Sequence, residues 1–410
     1  MDTAAAITLG RPRIITLCPV VGIGGWERAF STFGFQPEHV GSYEAVRGGW
    51  RPKICRLEGR FFKWANPDET TLILDEAQFV KGKESMTTAL VGGAIIQNIP
   101  IIAASATLAC SPLDMRIAGR ITGLHAGGAD WKRFLAESGC YHDAEEDRWK
   151  WDSRRYGYIL EEINSLLIPA RGCRLRKADT GPQPGTTIKP LPLDAPEAEE
   201  INAEWQELQD KIKGMENATD AQGRRRYPRE VITAVRRGGR MKIWKKSELA
   251  LVPAVAARVR QCLDEGKSVV VFFNFTEARL KMGKLLNTRA GFYGGQSAKQ
   301  RKKYEADFQA NRERVLLCNI GAGGASVSLH DLTGEYPRET FIFPTDNPVK
   351  MGQAPGRVDR DGGQTHSVQW IPHLTGGLVA SIIKSTMRKL QQMETINDGT
   401  GQRRLSPRTT

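Results

Sequence analysis

Short, nearly unbroken apolar runs separated by amphipathic stretches dominate this chain. Ile14-Ile-Thr-Leu-Cys18, Thr71-Leu-Ile-Leu74 and Ile101-Ile-Ala-Ala104 read as strands buried on both faces, the pattern left when helices cover both sides of a parallel sheet. The same pattern returns in Ser268-Val-Val-Val-Phe-Phe273, Arg314-Val-Leu-Leu-Cys318, Glu339-Thr-Phe-Ile-Phe343 and Ser367-Val-Gln-Trp-Ile371. Helical periodicity runs through Arg258 and Leu263 and again from Lys299 to Gln309. Two α/β parallel-sheet domains are therefore expected. Between them Pro182, Pro184, Pro190, Pro192 and Pro196 punctuate the chain, and Ile201, Trp205, Leu208, Ile212 and Met215 then fall on one helical face. This predicts a helical insertion rather than further sheet. The expected divisions are 1–170, a first domain; 171–246, linker and basic helical insertion; 247–385, a second domain; and 386–410, a basic, disordered tail.

Charge adds a partner to this picture. The 410 residues carry a formal charge of +13, and counterion release makes nucleic acid the natural counterpart of such an excess. Residues 223–246 hold ten Lys or Arg against one acid, Glu230, with Tyr227 and Trp244 interleaved. Arg236, Arg237, Arg240 and Lys242, together with Arg171, Arg174, Arg176 and Lys177, are the candidate phosphate contacts. Seven scattered cysteines, with no CxxC pair, fit a reduced, cytoplasmic setting and argue against a zinc module or disulfide framework. No apolar run approaches the roughly 20 residues a membrane span requires. The six histidines show no metal-ligand spacing.

Candidate chemistry begins where the second apolar run meets Asp75-Glu76-Ala-Gln78. At the carboxyl end of a buried parallel strand, one carboxylate can hold Mg²⁺ or its water while the next orients an attacking water. An acidic turn is the plain alternative. Ser105 and Thr107 follow the next strand, where hydroxyls can also simply cap a helix. Gly321, Gly323 and Gly324 permit close backbone approach to a phosphate or a tight turn. Arg357 and Arg360 stand three apart, so on a helix they share a face; ion pairs with Asp359 or Asp361 are the alternative.

Taken in order, these segments resemble the motifs of superfamily 2 helicases and, among them, the Snf2-like DNA translocases. Ile14 to Pro19 with Trp26-Glu-Arg-Ala-Phe30 resembles motif Ia, and Ser42 to Arg47 the segment after it. Asp75 to Gln78, continuing to Ser85, resembles motif II, with Gln78 where many members have His. Ser105-Ala-Thr107 resembles motif III, Val271 to Thr276 motif IV, and Tyr293 to Ser297 the turn beyond it. Asn319 to Ser326 resembles motif V, and Gln353-Ala-Pro-Gly-Arg357-Val-Asp-Arg360 motif VI. The resemblance implies two RecA-like domains and a DNA-dependent ATPase that uses ATP and Mg²⁺ and moves on double-stranded DNA. It implies Asp75 as the Mg²⁺ ligand and Glu76 as the residue handling water. Gln78, Gly323, Gly324 and Gln353 would bind nucleotide, Arg357 and Arg360 would act as arginine fingers, and Ser105 and Thr107 would couple nucleotide state to domain closure.

One motif of that set is missing. No G-x-x-x-x-G-K-[ST] occurs in the chain: Gly22-Ile-Gly-Gly25 lacks the Lys-Ser/Thr, and Gly82-Lys-Glu-Ser85 lies beyond motif II. Asp2 to Leu9 fits the helix that follows such a loop, and Ile14 onward the next strand. The expectation is that Met1 is an internal methionine, with the loop and its strand in upstream sequence or a separate polypeptide. A first domain of reduced stability would follow. A nucleic-acid-binding protein without its own ATPase, inactive or part of a split complex, is the competing expectation.

Overall fold

The computed structural model describes residues 2–49, 53–80, 85–106, 108–174, 179, 184–323, 327–360 and 362–398. Thr107, Arg176, Lys177, Gly324, the 81–84 part of the motif II segment and the tail after 398 lie outside the described residues. The chain divides into two compact units: Met1–Arg176 with Lys389–Arg403, and Lys177–Arg388 with Arg404–Thr410. Both are α/β units built on parallel sheets.

In the first unit, β1 (Arg13–Cys18), β2 (His39–Ser42), β3 (Cys55–Glu58), β4 (Phe61–Trp64), β5 (Thr70–Asp75), β6 (Ile101–Ala104), β7 (Cys140–Asp143) and β8 (Arg148–Trp151) follow in chain order. The main sheet is ordered β2-β1-β5-β6 and is parallel throughout; β3–β4 and β7–β8 form separate antiparallel hairpins. The strand β5 is central. Its residues Thr70 to Leu74 are fully buried, packed on one face with Leu17, Leu90 and Val91 and on the other with Ile14 and Phe30. Local caps fix the helices that flank it. The Ser42 Oγ accepts from Ala45 N to start the Tyr43–Arg47 helix, and the Ser85 Oγ accepts from Thr88 N to start Met86–Ile96.

The second unit contains β9 (Thr186–Pro192), β10 (Ser268–Phe273), β11 (Val315–Asn319), β12 (Arg338–Ile342) and β13 (Ser367–His373) in one sheet, ordered β11-β10-β12-β13-β9. Every pairing is parallel. The strand β9 corrects the expectation of a purely helical insertion: the proline-punctuated stretch pairs along β13 from Thr186 to Pro192. Pro190 and Pro192 are tolerated because β9 is an edge strand, where a missing N–H removes no inner ladder bond.

A second correction concerns the boundary at 246. A single helix, Arg229–Asp264, runs straight through it, because Ile243, Leu251, Val255 and Val259 form one continuous apolar stripe on Val269, Val271 and Phe273. Ala198–Asn217 lies antiparallel to its first half, so the insertion is a helical hairpin fused to the sheet's covering helix. Trp244 is likewise core rather than surface: it is 8% exposed, meets the Phe275 ring edge-on, and donates from Nε1 to Pro344 O.

The third correction is at the tail. Residues 386–398 are the end of the helix Gly377–Asp398, held by Leu390, Met393 and Ile396, all buried. No helix among the described residues is long and apolar enough to cross a membrane.

Candidate active site

The central position of β5 places Asp75 at the carboxyl end of a strand whose neighbours β1 and β6 end alongside it. Side chains from two other elements meet it there. The Trp26 Nε1 donates to Asp75 Oδ2 at 3.0 Å, and the Tyr43 hydroxyl donates to Asp75 O at 2.8 Å. Gly22 faces the same carboxylate, and a methyl group in place of its hydrogen would sit 3.3 Å from Oδ2. The negative field of Asp75 shows in its neighbours. Burial first, then Asp75 and Glu27, push the Cys18 thiol up to about 12. Burial and Asp75 likewise raise the Tyr43 phenol above its ordinary range.

Immediately after Asp75 the backbone turns sharply, with Glu76 at φ 54°, a left-handed conformation unusual for a residue with a Cβ. The turn folds Gln78 back over the strand end. Gln78 Nε2 donates to Glu76 Oε2 at 2.5 Å, and Gln78 Oε1 accepts from the Ser105 hydroxyl at 2.5 Å. Glu76, Gln78 and Ser105 thus form one hydrogen-bonded line from the end of β5 to the end of β6. Sequence spacing brought Asp75 and Glu76 together but said nothing of Trp26 and Tyr43, whose only signal is their place in segments following β1 and β2.

The Mg²⁺–nucleotide implied by the resemblance meets partial support in these residues. Asp75 offers the hard oxygen donor Mg²⁺ prefers, and Gly22 leaves room beside it. Among the described residues no three His, Cys, Asp or Glu side chains gather into a metal cage. Asp75 and the adjacent Glu76 are the two carboxylates at this strand end.

In the second unit, Gln353 closes the helix Pro348–Gln353 and Arg357 ends the 3₁₀ turn Pro355–Arg357. Arg357 and Arg360 do not share a helical face as expected. Pro355 lacks an N–H and its ring obstructs the preceding turn, so the helix does not continue through them. Arg357 is 5% exposed. Its carbonyl accepts from Leu329 N, while Arg360 Nη1 donates to Ser328 Oγ at 3.0 Å and Nε to Gly356 O at 3.1 Å. These bonds tie the segment resembling motif VI to Ser328 and Leu329, which follow the segment resembling motif V. Gly323 ends the short helix Ile320–Gly323.

The candidate nucleic-acid contacts divide sharply. Arg236 pairs with Glu216 across the helical hairpin, and Arg174 Nε pairs with Asp398 Oδ1 at 3.0 Å. Lys246 is held between Glu200 and Glu204. Arg237 and Lys242 are exposed, and Arg240 is half-buried.

Comparison with known proteins gives one curated relative with strong similarity. A putative ATP-dependent RNA helicase, L364, of Acanthamoeba polyphaga mimivirus is 25% identical over 427 aligned residues, covering 97% of this chain and 77% of the relative. No protein-family model matches the chain. Among solved structures, S. cerevisiae Dbp5 bound to RNA and ADP BeF3 aligns at 12% identity over 95% of this chain and 80% of that one, with a TM-score of 0.46. The C-terminal part of the Fun30 ATPase domain aligns at 13% identity over 53% of this chain and 98% of its own, with a TM-score of 0.35. The similarity to that relative extends across nearly the whole length of this chain.

Proposed function

We propose that this chain is the motor of a superfamily 2 nucleic-acid translocase or helicase, coupling ATP hydrolysis to movement on a polynucleotide. The observation that carries this reading is the Glu76–Gln78–Ser105 line. It joins, in space, the carboxylate suited to orienting water with the hydroxyl of the segment that resembles the coupling motif. Similarity to a protein named an ATP-dependent RNA helicase supports the same class. Bound ATP and Mg²⁺ would supply the transferable phosphoryl group and its charge neutralisation. Asp75 is suited to hold the metal and Glu76 to orient water, and Gln353, Arg357 and Arg360 are assigned to nucleotide binding by their resemblance to motif VI.

The excess of basic residues supports a nucleic-acid substrate, and the relative's name adds RNA to the double-stranded DNA expected from the Snf2-like motifs. The test is ATP hydrolysis by the purified chain with no nucleic acid, with RNA and with duplex DNA. Glu76→Gln is expected to cut stimulated turnover at least about 100-fold while sparing polynucleotide binding. Equal turnover in wild type and variant would remove the enzymatic reading. The cluster of ten Lys or Arg against one acid over 223–246 favours one second reading, a polynucleotide-binding subunit without ATPase activity of its own. It predicts tight polynucleotide binding without hydrolysis by the chain alone.

A further inference from the structure

Asp75 is gripped by the two helices that follow β1 and β2. Trp26, near the start of the helix Ile23–Thr32, donates from Nε1 to Asp75 Oδ2 at 3.0 Å. Tyr43 opens the helix Tyr43–Arg47, and its hydroxyl donates to Asp75 O at 2.8 Å. One bond fixes the side chain of Asp75 and the other its main chain. Both donors are themselves anchored. Trp26 packs against Ile14, Phe30 and Ile73, its ring tilted on that of Phe30 with centroids 6.2 Å apart. Tyr43 is buried among Ile15, Leu17 and Leu74.

An indole N–H only donates. It cannot ligate a cation, but it can decide which oxygen of a carboxylate does. The terminal torsion of an aspartate is broad, so a carboxylate without such a bond samples many planes. With Oδ2 bonded to Trp26 that rotation is restricted, and Oδ1 becomes the oxygen offered to a cation. Mg²⁺ suits such an offer, because it demands near-octahedral geometry, keeps several waters and takes only one or two carboxylates. Gly22 provides a separate sign that the Oδ2 side is built closely. Its backbone, at φ −81° and ψ −18°, is one that any residue adopts, so the conformation does not call for glycine. Space does: a Cβ there would lie 3.3 Å from Asp75 Oδ2, on the oxygen that the indole holds. Other indoles are used differently. Trp64 and Trp244 donate to the main-chain carbonyls of Leu90 and Pro344, and Trp370 meets Glu339, a carboxylate already paired with Lys267.

On the reading of Asp75 as a metal ligand, we infer that Trp26 is a positioning residue for that ligand. Its indole holds Oδ2, in the space Gly22 leaves, so that Oδ1 meets a hard divalent cation. Groups that orient a metal ligand in this way govern affinity without touching the metal.

The test uses the full chain without nucleotide and Mn²⁺ alone as the probe. Binding is followed by loss of the free-ion electron paramagnetic resonance signal and by quenching of tryptophan emission. Asp75→Asn defines the binding that belongs to this site. Trp26→Phe should weaken that binding about 10- to 100-fold. The fraction of emission quenched at saturating Mn²⁺ should also fall, since the indole nearest the ion is gone. Gly22→Ala keeps every core side chain, should weaken binding in the same direction, and serves where Trp26→Phe does not fold. Tyr43→Phe frees only the main chain of Asp75, so it should lower the metal-free thermal midpoint and leave Mn²⁺ affinity nearly unchanged. Wild-type affinity in Trp26→Phe, with binding lost in Asp75→Asn, would overturn the inference and leave Asp75 as the ligand. Equal weakening in Tyr43→Phe and Trp26→Phe would also overturn it, because a loosened strand end would then account for both. Undiminished binding in Asp75→Asn would instead remove the metal reading of Asp75, and the role of Trp26 with it.

Discussion

At the scale of single residues, the octet ending in Gln78 shows what adjacency in sequence can and cannot convey. An apolar strand running into two carboxylates pointed to Asp75 and Glu76 directly. It could not show that a left-handed Glu76 would swing Gln78 back onto Ser105, because that depends on β5 and β6 ending side by side. The bond makes a specific prediction. Ser105→Ala removes the hydroxyl that fixes Gln78, leaving Asp75 and Glu76 in place. The ratio of polynucleotide-stimulated to basal ATP turnover should fall roughly 10-fold, by the loss of about one kcal/mol or more of positioning. An unchanged ratio would mean that the line holds the strand ends together and nothing else. A second residue, Glu248, could not be singled out by sequence at all. Buried in the long helix, it accepts from Asn274 N, Asn274 Nδ2 and Phe275 N, and burial still pushes its carboxyl up to about 7. A carboxyl with a raised folded pKa binds its proton more tightly when folded. Its contribution is therefore favourable at low pH and is lost as pH rises from about 4.5 to about 7. Wild type should lose up to about 3 kcal/mol across that window, and Glu248→Gln should flatten the loss in urea titrations at pH 5 and 7.5.

At the scale of elements, the strands were legible where the apolar run is unbroken, whether buried throughout like β10 or half-buried like β6, and obscure where polar residues or prolines interrupt it. The runs at Ile101 and Ser268 coincide with β6 and β10 in full. The strand β9, half-exposed and interrupted by Pro190 and Pro192, carries no such signal, and neither do the hairpins β3–β4 and β7–β8. The basic segment shows the same limit in electrostatics. Counting charge along 223–246 gives ten cations and one acid, yet the antiparallel partner helix brings Glu200, Glu204 and Glu216 to Lys246 and Arg236. Arg237, Arg240 and Lys242 make no ion pair with a described residue. If the hairpin tracks a polynucleotide, replacing those three with Gln should reduce the salt slope by about two to three on duplex. Arg236→Gln should change it by much less than one, since that guanidinium is already paired. Equal effects from both variants would place the contact surface elsewhere.

At the scale of the whole molecule, Lys389 to Asp398 belong to the first unit although they follow the second in sequence. Leu378 and Ile382 lie in the core of the second unit, whereas Ile396, 1% exposed, packs with Ile159, Ile163 and Leu167 in the first. Polar and basic residues after 398 led composition to a disordered tail from 386, although Leu390, Met393 and Ile396 repeat at helical spacing within it. That repeat is too short to outweigh its surroundings in sequence, and only the burial partners reveal it. The polar ends support the same attachment: Asn164 Nδ2 donates to Ile396 O at 2.7 Å, and Asn397 Nδ2 donates to Ala106 O at 3.3 Å, next to Ser105. Ile396→Ala should cost the first unit about 2–4 kcal/mol, the range for truncating a fully buried aliphatic side chain. The loss should be local. Amide hydrogen exchange should quicken in the helix Ile159–Leu167 and leave β10 to β13 protected, because the substituted side chain touches only the first unit's core. Uniform quickening across both sheets would instead mean that the two units unfold as one, and no change would mean that the helix end is not part of the first unit's core in solution.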